Sequence, residues 1–272
     1  MLGENCILML ARFWGLDGMR YPVLQQSLKL IRKLDPSAIS TVIDIGVQRS
    51  TPFLIDAFPD CFHHLFEPVS VYYDDIKRIY GERNVKYLLH KIALSNETRL
   101  MYLHNTSSDG SGRVTHSYIK PERDEKMLFL KDIEQITSSR LDDVFESIVL
   151  DEMSYLIKLD VDGVEEKIIE GGLNVIKNAS FVVIETSIGR NDLCSRAALF
   201  EKCGFRIFDI CDHAYYYNQL ALVDLVLINT KLRSRNIKFR PWEYTKTKVI
   251  WSKWQHGFAD LVGKSVDDPF EV

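Results

Sequence analysis

The chain has 272 residues, of which 46% are hydrophobic and 26% charged, with a formal net charge of -4. Such a chain can bury a sizeable core without disulfides or metals, and its near-neutral balance excludes a whole-molecule polyanion binder. No apolar run reaches the roughly 18–20 residues that a membrane-spanning helix needs.

The N-terminal run Cys6–Ala11 is short and follows Glu4, without the basic lead and cleavage site of a signal peptide. Five cysteines (Cys6, Cys61, Cys194, Cys203, Cys211) contain no C-x-x-C pair. They read as reduced thiols of a cytoplasmic protein. Residues 1–40 read as a helical extension, with Leu24, Leu28, Ile31 and Leu34 at helical spacing and a break at Asp35-Pro36-Ser37.

From residue 41 the pattern changes to strands alternating with helices. Ser40–Gly46 is a β-branched run ending in glycine, followed by Thr51 as helix cap and Pro52 at the first helical position. Cys61–Pro68, Val85–Ser95, Tyr155–Gly163 and Phe181–Thr186 read as the second to fifth strands. A helix over 164–177 follows the fourth, and Gly204 closes another after the fifth. The segments 205–210 and 222–229 complete the set. Their eleven-residue link is at the short limit for a parallel crossover, so an antiparallel last strand is expected. The alternation predicts an α/β fold whose mostly parallel sheet carries helices on both faces.

Two stretches depart from that rhythm. Residues 99–105 read as an extra strand pairing with the third. Residues 107–150 read as an insertion, with a flexible loop at 107–113 and a helix at 138–146. The segment 231–272 is a basic, Trp-rich appendage: residues 231–256 hold eight Lys/Arg, one acidic residue and Trp242, Trp251 and Trp254. It suits packing, self-association into a homo-oligomer, or an acidic acceptor.

The chemistry concentrates at Val42–Gly46 and Phe66–Pro68. A glycine ending the first strand lets a ligand approach the backbone. Glu67, 23 residues after Asp44, can take both hydroxyls of a ribose. The turn Gly46-Val47-Gln48-Arg49-Ser50 has one glycine, whereas a dinucleotide pyrophosphate calls for G-x-G-x-x-G. Asp44 beside it suits a cofactor with an amine and a sulfonium, S-adenosyl-L-methionine.

Val42–Gly46, Phe66–Pro68, Ile92–Asn96, Ser139–Phe145, Ile157–Gly172 and Val182–Thr186 follow in an order that resembles FkbM-type methyltransferases. The resemblance covers about residues 40–230. It implies a Rossmann-like, class I S-adenosylmethionine-dependent fold and O-methylation of a saccharide or natural-product hydroxyl. It also implies that Asp44 and Gly46 hold the methionyl end, Glu67 the ribose, and Ile92 and Ala93 the adenine. Asp160 falls beside the methyl-transfer centre, with Asp162 where the family usually has glutamate. Gln48 and Ser50 stand where the family usually has asparagine and glycine. Gln48 keeps the hydrogen-bonding capacity.

An aliphatic hydroxyl is a poor nucleophile, so a base or a metal should assist. Asp160, Asp162 and Glu185 end adjacent strands, and oxygen ligands of this kind suit a magnesium-like ion. In the other reading one carboxylate takes the proton. His213 is a candidate base on the loop after Asp209 and Asp212. Lys158 should pair with a carboxylate. His63 and His64 point to opposite faces of a strand and read as structural. Tyr215, Tyr216 and Tyr217 read as a loop that stacks on an acceptor ring or packs over the sheet edge. A small-molecule or saccharide acceptor is expected, and no nucleic acid. The competing functional readings are a nicotinamide-dependent oxidoreductase and a cofactor-binding module without turnover.

Overall fold

The computed structural model describes residues 23–107, 114–161, 163–189 and 192–232. The segment up to residue 22 and the basic Trp-rich stretch from 233 onward lie outside the described residues.

The described residues begin with helix α1 (Leu24–Leu34), whose Leu24, Ser27, Leu28 and Ile31 are buried at helical spacing. Strand β1 (Thr41–Ile45) follows, then α2 (Pro52–Ala57), β2 (Phe62–Phe66), α3 (Tyr73–Glu82) and β3 (Tyr87–His90). Next come β4 (Ala93–Leu94), β5 (Arg99–Thr106), β6 (His116–Lys120), β7 (Leu130–Ser139) and α4 (Leu141–Phe145). The second half holds β8 (Tyr155–Leu159), α5 (Glu165–Gly171), α6 (Leu173–Lys177), β9 (Phe181–Ser187), α7 (Asp192–Lys202), β10 (Phe205–Tyr216) and β11 (Gln219–Asn229).

Seven strands form one sheet in the order β10-β11-β9-β8-β1-β2-β3. β3, β2, β1, β8 and β9 pair in parallel, and β11 runs antiparallel to both β9 and β10. This is the expected Rossmann-like sheet, mostly parallel with an antiparallel last strand. The strands β1 and β8 are nearly continuous apolar runs because both their faces are covered. Val42, Leu156, Val183 and Val226 pack under α1 and α2. Ile43, Ile157, Val182 and Ile184 pack on the opposite face against Ile168, Ile169 and Phe200 of α5 and α7.

The region after β3 differs from the expectation. The run 85–95 is two strands, β3 and β4, in different sheets. β5 does not pair with β3. It joins β4, β6 and β7 in a separate four-stranded sheet of order β4-β7-β5-β6. Residues 138–139 end β7, so the helix expected at 138–146 is shortened to α4. Asp142 in α4 accepts hydrogen bonds from the backbone N–H groups of Asn174 and Val175, capping α6. Gly171 completes the junction: a Cβ there would collide with the carbonyl oxygen of Ser95, beside β4.

β10 and β11 form a long hairpin whose two-residue turn is Tyr217-Asn218, both with positive φ (48° and 62°). Tyr215 and Tyr216 therefore end a strand and only Tyr217 lies in the turn; all three are exposed. His213 sits within β10, not on a loop. Asp209 and Asp212 are engaged elsewhere: Asp209 accepts from the Ser27 hydroxyl, and Asp212 Oδ1 caps the Leu24 N–H at 3.1 Å. They fasten α1 to the sheet. His63 and His64 are buried on opposite faces, His63 against the Phe58 carbonyl and His64 against His90, as structural histidines should be.

Candidate functional site

The ends of β1, β2 and β8 enclose a pocket at the carboxyl edge of the sheet. Its lining includes Gly46, Gln48, Glu67, Ile92, Ala93 and Asp160. These residues come from four separate stretches of the sequence, and parallel registers bring them together. β1 pairs Ile45 with Phe66 of β2 and with Leu159 of β8, so Gly46, Glu67 and Asp160 leave their strands at one level.

Gly46 holds that level. Its N–H donates to the Phe66 carbonyl at 3.1 Å, while Asp160 N–H donates to the Ile45 carbonyl at 3.1 Å. Gly46 has φ +88°, and a Cβ would collide with the Asp160 carbonyl oxygen. The glycine is required by the protein's own backbone before any ligand is considered. The turn then passes through Gln48 at φ 51°, while Ser50 is not among the residues with positive φ. Serine in place of the family's usual glycine therefore strains nothing here.

Glu67 is almost fully buried. Its Oε2 accepts the Gln48 N–H at 2.7 Å and its Oε1 accepts the Val69 N–H at 2.8 Å. A carboxylate has about four acceptor positions, so one on each oxygen remains for a ligand diol. Burial pushes its carboxyl up to about 7, against the lowering effect of the two backbone bonds.

At the floor lies Lys158, also buried. Its Nζ is 2.9 Å from Asp160 Oδ2 and 3.6 Å from Asp44 Oδ1. The lysine has the carboxylate partners its sequence position called for. Burial alone would lower its pKa, but the two carboxylates outweigh it and hold the group above its ordinary value. Asp44 is fully buried and does not line the pocket; neither of its oxygens has a hydrogen-bond partner. One ammonium thus faces two carboxylates, and the floor carries an excess negative charge.

One end of the pocket is apolar. Ile92, Ala93, Leu94, Phe66 and Ile168 line it, and His90 stacks on Phe66 with ring centroids 4.3 Å apart. The second sheet supplies the outer wall through Leu103, His116, Ser117 and Ile119. No motif announced these residues, because their only sequence signal is strand alternation.

The other expected site residues fall differently. Asp162 lies outside the described residues. His213 is exposed and not part of the pocket lining. Glu185 stands on β9 next to β8, and its backbone carbonyl accepts from Arg196. Among the described residues no group of three or more acidic, His or Cys side chains is placed to hold a metal ion; Asp162, the third member of the trio expected with Asp160 and Glu185, lies outside them.

Comparison with known families agrees with this geometry. Residues 44–207, more than half of the chain, match the family model described as the methyltransferase FkbM domain. The chain belongs to the FkbM methyltransferase family. No curated protein matches it. Among solved structures it is similar to the fibrillarin pre-rRNA processing protein of Methanococcus jannaschii, at 13% identity and a TM-score of 0.41, over 71% of this chain and 67% of that one. It is also similar to a precorrin-6y methyltransferase from Geobacter metallireducens, at 11% identity and a TM-score of 0.38, over 78% of this chain and 92% of that one. The family match begins at Asp44 and ends at Ile207, and so includes the end of β1, the second sheet and Asp160. No helix among the described residues is long and apolar enough to cross a membrane.

Proposed function

We propose that this FkbM-family protein binds S-adenosyl-L-methionine in the pocket between β1, β2 and β8 and transfers its methyl group to an acceptor hydroxyl. The observation that carries this reading is the charge of the floor. Lys158 is shared by Asp44 and Asp160, which leaves negative charge beside Gly46. A sulfonium would balance that charge, whereas a pyrophosphate would be repelled by it. Glu67 fits the ribose diol with its two remaining acceptor positions, and the apolar end fits adenine. The nicotinamide reading has no such support.

The cofactor supplies a carbon already activated by the sulfonium, so positioning contributes much of the rate. Asp160, which lines the pocket and is held by Lys158, is the carboxylate best placed to take the acceptor proton. The acceptor is proposed to be a saccharide or natural-product alcohol, chosen by the parts of the chain around the pocket mouth.

Calorimetric titration with S-adenosylhomocysteine tests the cofactor assignment. Micromolar binding is expected, and no heat at high micromolar ligand would sink it. A 14-dalton mass increase in one of a panel of alcohols would establish turnover, and its absence throughout would favour a binding module.

A further inference from the structure

The acidic row at the pocket floor continues across the sheet beyond Asp160. β8 pairs Leu159 with Ile184, so Asp160 and Glu185 are neighbours one residue further on. β9 pairs Glu185 directly with Asp224 of β11. Cross-strand partners share a face of the sheet. Asp224 is thus on the face of Asp44 and Lys158, in the row of Asp160.

Asp224 is an isolated acid in an otherwise apolar strand. Burial pushes its carboxyl up to about 7, and Asp160, Asp212 and Glu185 push the same way. Lys158 opposes them, but it is already bound to Asp44 and Asp160. Asp212 holds the end of α1. Three carboxylates, Asp44, Asp160 and Asp224, therefore act on the one ammonium of Lys158. The influence of Asp224 reaches Asp160, which lines the pocket.

We infer that Asp224 is a specificity-determining residue for the methyl-transfer end of the pocket: with Asp160 it favours cationic and neutral groups there and disfavours anionic ones. Its role rests on the cofactor reading of the pocket. The acceptor class that follows is a neutral alcohol or one bearing an ammonium group. A carboxylate or phosphate on the reacting side of the acceptor would meet Asp160 and Asp224, whose nearby cation among the described residues, Lys158, is already paired.

The test needs no acceptor. S-adenosylhomocysteine has a neutral sulfur at the transfer point, whereas sinefungin carries an amine there. Both are titrated calorimetrically into the full chain at pH 8, where Asp224 is ionised. Wild type should bind sinefungin about tenfold more tightly, as one unit charge in an intermediate dielectric would give. Asp224→Asn should reduce that preference at least about threefold by weakening sinefungin alone, and Asp224→Glu should preserve it. An unchanged preference in Asp224→Asn, or none in wild type, overturns the role of Asp224. If neither ligand binds wild type, the cofactor reading fails and the inference with it. Circular dichroism checks that Asp224→Asn is folded, with Asp224→Ser as the substitute variant. The wild-type comparison stands without either.

Discussion

Glu67 links the sequence to a measurable pH dependence. Its carboxyl is pushed from the ordinary 4.5 up to about 7 by burial. In the proposed complex both ribose hydroxyls would donate to the ionised form only, so affinity for S-adenosylhomocysteine should fall about tenfold per pH unit below 7 and level off above it. The effect on folding has the opposite sign. The native state binds this proton more tightly than the unfolded chain, so the group's stabilising contribution is full below about 4.5 and is lost as pH rises through about 7. Asp224 is pushed into the same range. Glu67→Gln separates the two: it should weaken binding and flatten the profile, and a profile unchanged in that variant would refute the assignment to Glu67. Gly46 gives a second expectation. Gly46→Ala puts a Cβ against the Asp160 carbonyl in a backbone region that L-residues rarely adopt. It should cost about 1–3 kcal/mol of stability in denaturant unfolding even without ligand. The need for glycine at this position was legible in the sequence, but the atom that requires it was not. That atom lies just past the end of β8, more than a hundred residues away, and only the strand register brings it near.

At the scale of elements, the apolar spacing in α1 correctly identified its buried face. What covers that face is a matter of tertiary packing: Leu28 meets the core formed by Leu156, Phe181 and Val226. Leu28→Ala should cost about 2–5 kcal/mol, read from the urea midpoint, because the rigid sheet beneath cannot close the cavity. A cost well under 1 kcal/mol would mean that α1 does not pack as described. The second sheet was the least legible element. Alternation in 99–105 marks a strand, but alternation does not name a partner. β5 pairs with β6 and β7, and the pocket thereby gains a wall that includes His116 and Ser117. The β10–β11 hairpin was half legible. Its short link implied antiparallel pairing, yet Tyr215 and His213 lie in the strand because both arms extend past the last β9 pair at Ser187.

At the scale of the whole molecule, the net charge of -4 gave no reason to expect a strongly charged site. The average hides two departures: the basic stretch at 231–256 and the row of carboxylates at the sheet edge. By itself the sequence determined the parallel α/β architecture, the antiparallel last strand, the family and the positions of Gly46, Glu67 and Asp160. Each of these depends on local pattern: strand length, a terminal glycine, an acid at a strand end. Only the tertiary structure decided that Lys158 serves two carboxylates, that Asp224 joins their row, and that a separate sheet walls the pocket. These depend on which strands become neighbours and in what register, and pairing between distant strands is set by the packing of the whole sheet.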